Sequence, residues 1–573
     1  MGKQLRHWAL AELAIIILLA LSGCARADNS VNTGGNIPLS QRKLVWAHNI
    51  PVFNLDIRDP NAQRYGALYP LALRARAHSD SYDEIIQAAQ KAGIDGFSID
   101  IFTNVGQIRP FYASADRNKF LIAPCLDLSI LRQQHKDLKA GLLQAVETYC
   151  REAGSHPSCA RESGAFIVFM YGTASLPADT WQDVRATLKN EGLNVFWVGD
   201  INVNFNRLRP GVYPDQDNIR QQTLAYLSCY DMGYSFVAIP DQYWDTIRGV
   251  FAENHKPFAG GMWPGYYRGI VGNRRIQPFG SDADGTALYR GYWQRQIQAG
   301  LPWTHITTWN DFTEHSNLNA DTSYNVTRSE VTAWYAAKFR NQPPPFHDAR
   351  LYVTTPQALF LNQSENAEAL VLNPTSRPVH VTLRLFDGAG APYGTPVSKI
   401  AEPNSEVAVT IPVKMSEIPA GHFLRARARV GTSNAIPSAP ILIYNMPLPP
   451  ASIVPELYYS VPANHALPGR VGFSISNGQA NLSVPSGVTP RFVDLLHDQN
   501  IVKTVNTAHV GTPIPLDEDA DLKMTDDNYY DAQDFGLYVE RVIDDQDRVG
   551  FSDPVYVTVY QRTVFPSARR YAH

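Results

Sequence analysis

The sequence predicts an α/β fold, a (β/α)8 TIM barrel, followed by two β-sandwich domains of immunoglobulin- or fibronectin-like type. Two observations predict the barrel. Short apolar runs alternate with helical patterns between residues 43 and 342, and eight such runs match a barrel in number and size. No glycine-rich phosphate turn follows the first run, which speaks against an open doubly wound sheet. A third observation marks the change of fold: Pro343-Pro344-Pro345 ends the last helix, and helical periodicity disappears after it.

The eight expected strands are 44–50, 96–102, 120–126, 166–171, 195–199, 235–239, 258–262 and 305–309. Helical patterns at 82–92, 141–152, 180–191 and 287–299 lie between them. Beyond the triple proline, residues such as Val379-His380-Val381-Thr382-Leu383-Arg384-Leu385 alternate with period two, and clusters such as Asp387-Gly388-Ala389-Gly390 make turns. This texture predicts a β-sandwich over 346–445. Met446-Pro447-Leu448-Pro449-Pro450 reads as a linker to a second β-rich domain over 451–573.

At the N-terminus, Lys3, Arg6 and His7 precede an apolar run over 13–21, the pattern of an export signal. The run is short for a spanning helix, which needs about 20 apolar residues. Leu21-Ser22-Gly23-Cys24 resembles a bacterial lipobox, with an ordinary signal peptide cut slightly later, or an uncleaved anchor, as the plainer readings. The lipobox reading makes 1–23 the signal peptide, Cys24 the lipidated first residue and 24–42 a polar tether to a membrane. Ala25 after the cysteine resembles outer-membrane sorting, so an exported protein anchored to the bacterial envelope is expected. In such an oxidising compartment Cys150 and Cys159 are spaced to close a small disulfide loop. Cys125 reads as a buried strand thiol, and the cysteine spacing fits no common zinc pattern, so neither a metal nor a cofactor is expected. A net charge of −4 without a long Lys/Arg run argues against nucleic acid as a partner.

Barrel active sites gather at the C-terminal ends of the strands, and that rule sorts the carboxylates. Asp311 and Glu314 fall just past the eighth strand, Asp100 near the end of the second, Asp127 after the third and Asp200 after the fifth. Asp95 precedes its strand and belongs to the opposite rim. Two carboxylates three residues apart on one loop can converge on one ligand, and their repulsion keeps one protonated, as glycosidic cleavage requires. A bare Asp-x-x-Glu pattern also caps helices; its place after strand eight favours chemistry. His48 ends strand one, where it serves either a sugar hydroxyl or the structure. Trp263, Tyr266 and Tyr267 lie on a Gly/Pro-rich loop, suited to stacking on a pyranose or to loop packing. Trp309 and Asn310 flank the acidic pair and join the expected substrate contacts. For Asp127, capping the following helix is the alternative to a substrate contact. Trp46 and His305 read as barrel filling and structure.

Trp309-Asn310-Asp311-Phe312-Thr313-Glu314 resembles the W-N-D-Y-G-E signature of glycoside hydrolase family 71, the endo-α-1,3-glucanases. Leu44-Val45-Trp46-Ala47-His48, Ala92-Gly93-Ile94-Asp95-Gly96-Phe97 and Gly261-Met262-Trp263-Pro264-Gly265-Tyr266-Tyr267 are similar to further segments of that family. The resemblance spans most of 43–340 and none of the β-rich part. It implies a polysaccharide substrate, an α-1,3-glucan cut internally with inversion, and Asp311 and Glu314 as the catalytic pair. Phe312 and Thr313 replace the family's Tyr and Gly, and Asp100 stands where Asn is common, which puts the exact substrate in question. The related family 99 carries a comparable acidic pair, so an α-mannan hydrolase is the alternative. A surface lipoprotein that binds polysaccharide without cutting it is the alternative from another class.

Overall fold

The alternating runs of residues 44–339 form eight parallel strands that close on themselves. They are β1 (Leu44–Asn49), β2 (Gly96–Asp100), β3 (Leu121–Asp127), β4 (Ala165–Tyr171), β5 (Val195–Asp200), β6 (Met232–Tyr234), β7 (Phe258–Met262) and β8 (Trp303–Ile306). Each strand pairs in parallel with the next, and β8 returns to β1 with Leu44 opposite Trp303. This computed structural model describes residues 37–51, 82–101, 105–134, 137–201, 215–271, 274–281, 285–312, 314–361, 363–414, 423–447, 458–476, 479–497, 500–505, 514–515 and 537–556. Cys24, with the rest of the expected signal, lies outside them. Among the described residues no helix is long and apolar enough to cross a membrane.

Period-two alternation decides what each side chain meets. In β1, Val45 and Ala47 join the apolar layer beneath the helices, while Leu44 and Trp46 fill the barrel. In β3, Ile122 and Leu126 face the helices, while Ala123 and Cys125 face inward. Trp46 packs on Phe169 and Trp303 with ring centroids 5.2 and 5.5 Å away, so it fills the barrel as expected. The inner wall is tight at Gly261, where a Cβ would lie 2.0 Å from the Ser235 carbonyl oxygen. Only glycine lets β7 run that close.

Two strands begin three and two residues earlier than the sequence pattern places them. The sixth occupies Met232–Tyr234 rather than 235–239, because Gly233 admits the Phe251 ring, which a Cβ would meet at 2.1 Å. The eighth ends at Ile306. Beyond it, the N–H of Thr307 donates to Met262 O at 3.0 Å, and that of Trp309 to His48 O at 2.6 Å. The tether expected over 24–42 also ends sooner. Leu39 is buried at the bottom of the barrel, where the Trp303 indole N–H donates to its carbonyl at 2.8 Å and Ser40 bonds Glu162. At the same rim Asp95 accepts from Val45 N at 2.8 Å and pairs with the Arg340 guanidinium.

After helix Thr327–Phe339 come two facing sheets. One has strands Ser405–Lys414, Ser364–Asn373, Arg350–Pro356 and Tyr458–Pro462; the other has Ala358–Leu361, Ile436–Pro447, Phe423–Val430, Val379–Asp387 and Pro392–Ala401. Tyr458–Pro462 lies beyond the expected boundary at 451 yet pairs antiparallel with Arg350–Pro356, so it completes the first sandwich. The second β-rich unit is built around Pro490–His497 and Leu537–Asp544. Buried polar groups join these units to the barrel. Glu368 accepts from Arg290 at 2.7 Å, and Arg541, fully buried against Asp494, donates to Thr322 O at 3.1 Å.

Glu540 is different: it is fully buried in Leu537–Asp544, and neither carboxyl oxygen meets a hydrogen-bond partner among the described residues. Burial, with the Asp494 charge adding, pushes its carboxyl from 4.5 up to about 8. The folded protein therefore holds a proton that the unfolded chain loses, and stability falls as pH rises from the unfolded value to about 8. Melting temperatures of the wild type and Glu540→Gln at pH 5 and pH 9 should show the variant's advantage growing with pH. An equal difference at both values would refute this account.

Candidate active site

The last inward position of successive strands forms the floor of the barrel mouth. It carries His48 on β1, Asp100 on β2, Asp127 on β3, Tyr171 on β4 and Asp200 on β5. Phe236 and Trp263 follow β6 and β7, and Asp311 and Glu314 stand on the loop after β8.

His48 and Asp100 head a buried polar chain. His48 Nε2 lies 3.4 Å from Asp100 Oδ2, and its Nδ1 lies 3.3 Å from Ser98 Oγ. Ser98 Oγ is 2.8 Å from His305 Nε2, whose Nδ1 is 3.3 Å from Thr307 Oγ1. Burial, with His48 nearby, holds the His305 imidazole neutral. The Asp100 carboxyl is pushed up chiefly by burial; contact with His48 opposes this, and the charges of Asp127 and Asp311 add to it. Asp100 on β2 therefore feels the carboxylates of both β3 and the β8 loop across the mouth.

Asp127 also does the capping job that the sequence left open. Its Oδ1 accepts from Ser129 N at 2.8 Å and Ile130 N at 3.2 Å, at the start of helix Leu128–Gln134. Asp200 accepts from the backbone N–H of Phe236 at 2.9 Å and from that of Gly172. Burial nevertheless raises its carboxyl to about 7.

The loop after β8 folds around its own acidic residues. The Asp311 N–H donates to Thr308 Oγ1 at 2.7 Å, and Asp311 Oδ1 accepts from Glu314 N at 2.9 Å. The Tyr266 hydroxyl lies 3.5 Å from Glu314 Oε1. Tyr266 stacks on Trp263 at 4.4 Å and 19°, and the Trp263 indole donates to Phe236 O at 3.3 Å. Both aromatic rings are largely buried in a small cluster of their own, the packing alternative weighed for them.

Three expectations are corrected. Trp309 is 1% exposed and packs on Phe97 at 5.6 Å in the layer beneath the helices, because the chain leaves the β8 ladder after Ile306 and loses the alternation that turns Trp303 and His305 inward. Asn310 is fully buried, accepting from Ile50 N at 2.8 Å and donating to Ile50 O at 2.9 Å, so it clamps β1. Cys150 and Cys159 are separate buried thiols. Cys150 lies in the last turn of helix Leu138–Ala153, while Cys159 is held in a bridge to Ile122, and burial raises each thiol to about 12. The Tyr267 side chain and Thr313 lie outside the described residues.

The sequence reading passed over Tyr171 and Phe236. Both are half-buried, with ring centroids 4.4 Å apart, and Phe236 meets His48 edge-on at 4.8 Å. Placing the sixth strand three residues earlier would have turned Phe236 into a strand-end residue. Among the described residues no cluster of His, Cys, Asp and Glu is arranged to hold a metal ion.

Asn310→Ala would strip partners from the buried N–H and C=O of Ile50, at a cost of at least about 2 kcal/mol. Denaturant unfolding should register that loss, with ligand affinity of the folded fraction unchanged. Unchanged stability with lost affinity would return Asn310 to the substrate contacts.

No protein-family model matches the chain, and no curated protein sequence does. Among solved structures, the chain is similar to a family 99 endo-alpha-mannosidase from Bacteroides thetaiotaomicron, with 12% identity, TM-score 0.41, and 52% of this chain and 97% of that one covered. It is similar to a glycoside hydrolase-like protein at 13% identity, TM-score 0.37, covering 54% and 98%. It is also similar to a Bacteroides uniformis beta-glucuronidase at 10% identity, TM-score 0.36, covering 84% and 62%.

Proposed function

We propose that the chain is a glycoside hydrolase acting on an α-glucan, with internal cleavage of α-1,3 linkages as its reaction. The observation that supports this best is the crowding of Asp100, Asp127 and Asp311 at one end of the barrel, beside Glu314. Glycosidic cleavage needs a carboxyl that gives a proton to the departing oxygen and a carboxylate that acts as base. Asp311 and Glu314 fill these two roles in this reading. Asp100 and Asp200, whose carboxyls are pushed up chiefly by burial, hydrogen-bond sugar hydroxyls in this reading. Tyr171 and Phe236, tilted 43° to each other, supply apolar ring surface for one pyranose face. In the same reading the lipid on Cys24 holds the enzyme at the bacterial envelope, where extracellular or periplasmic polysaccharide is met.

The test is reducing-end release by the chain freed of residues 1–36, on α-1,3-glucan, α-1,6-glucan and α-mannan. Products should come from α-1,3-glucan, and Asp311→Asn or Glu314→Gln should cut kcat by about 10²–10⁴-fold. Full activity in either variant would place the chemistry elsewhere, and binding of polymers without any cleavage would leave a polysaccharide-binding lipoprotein.

The Asp200 carboxyl is protonated below about 7, so a role as donor predicts activity that declines as pH rises through that value. In Asp200→Asn, whose amide donates at every pH, that limb of the kcat/KM profile should disappear. Its persistence unchanged would assign the limb to another group.

A further inference from the structure

We propose that the cleft between the first sandwich and the second β-rich unit binds a saccharide carrying an anionic group, a carboxylate or a sulfate ester. The cleft encloses about 370 Å³, a volume suited to one or two sugar rings. Its wall brings together Arg425 and Arg427 from Phe423–Val430, Arg470 from the second unit, and the phenyl rings of Phe386 and Phe423. The inference is independent of the barrel's reaction.

Arg425 is built in. Its guanidinium donates to Asp553 Oδ1 at 3.1 Å and to the carbonyls of Ser438 at 2.8 Å, Phe551 at 3.2 Å and Ser552 at 2.5 Å. Burial lowers its pKa only to about 10, so it stays charged at physiological pH. Asp553 also pairs with Arg470, which spreads one negative charge over two cations. The other acid on the wall, Asp387, is turned into its own hairpin, where Oδ1 accepts from Ala391 N at 2.7 Å.

Arg427 is the cation left over. It is exposed and forms no ion pair with the described residues; its guanidinium lies 4.4 Å from the centre of the Phe386 ring. A guanidinium laid over an aromatic face is held in place by cation–π attraction and keeps its N–H fork for another partner. Carboxylate and sulfate oxygens match that fork. The phenyl rings offer apolar surface for the C–H face of a pyranose. Gly388 lets the turn lie against Phe423, since a Cβ there would meet that ring at 2.8 Å.

Isothermal titration of the full exported chain with trigalacturonate, a sulfated carrageenan oligosaccharide, maltotriose and triglutamate tests the site. At least one anionic saccharide should bind, and which one binds identifies the anion. Arg427→Gln, an exposed change outside the barrel, should weaken that binding about tenfold or more with the melting temperature unchanged. Added salt should weaken it in the wild type. Absence of binding by both anionic saccharides at low millimolar concentration would overturn the proposal. So would equal binding of maltotriose or triglutamate, or affinity untouched by Arg427→Gln.

Discussion

Between β8 and β1 the barrel closes through parallel partners from Leu44 with Trp303 to Ala47 with Ile306, and the chain stays attached to β1 after the ladder ends. Trp309 donates to His48 O, and the Asn310 side chain takes both the N–H and the C=O of Ile50. These bonds leave the next residue, Asp311, over the mouth and on the same side as Asp100. A buried backbone group that loses its partner costs about 1–3 kcal/mol, so the seam has little freedom to slide. The Trp309 indole, driven into the apolar layer with Phe97, anchors the same turn from the other side. Two residues expected to touch substrate therefore act one step earlier, by fixing where the acidic residues stand.

The two rims of the barrel treat the same side chain in opposite ways. At the bottom, Asp95 is matched by a guanidinium and a backbone N–H, a closed arrangement that ties the strand to the last helix of the barrel. At the top, Asp100 has a histidine and two further carboxylates for company, and one of its oxygens, though buried, has no hydrogen-bond partner among the described residues. Such crowding is unfavourable for folding alone, because each added charge raises the cost of ionising the next. Ligand oxygens placed there would relieve it. Clustering of this kind marks sites built for chemistry more often than sites built for stability.

The barrel was legible because its signal is local. Each strand is a short apolar run, each helix has its period, and the strand-end rule then sorts carboxylates without knowing any distance. That placed Asp100, Asp127, Asp200 and Asp311 on one face and Asp95 on the other. The failures lie where contacts distant in sequence decide. Whether Trp309 faces sugar or core depends on the point where β8 leaves its ladder, and the clamp of Asn310 on Ile50 joins residues 260 apart. Phe236 was hidden because Gly233 shifts its strand to make room for Phe251, a contact between a strand and the helix that follows it. Strand Tyr458–Pro462 lies past a proline-rich linker, yet its ladder partner is Arg350–Pro356, which no local pattern could reveal.

The β-rich part is more than an appendage, because its buried charges end on the loop that carries the acidic pair. Arg328 holds His315 O at 3.1 Å and Asn317 O at 2.9 Å, and Asp321 accepts from Ser323 N and Tyr324 N. From outside the barrel, Ser460 N donates to Ser323 O at 2.8 Å, and Arg541 reaches Thr322 O. Arg541 and Asp494 are both fully buried, and breaking such a pair from one side strands a charge at a cost of about 3–5 kcal/mol. Glu368 and Glu406 likewise bury their carboxylates against Arg290 and against Trp334, Tyr335 and Lys338. A spacer would not need desolvated charges in these places. Their cost makes sense if the units fold as one body, so that residues more than a hundred positions downstream hold the loop of Asp311 and Glu314 in register with β2 and β3.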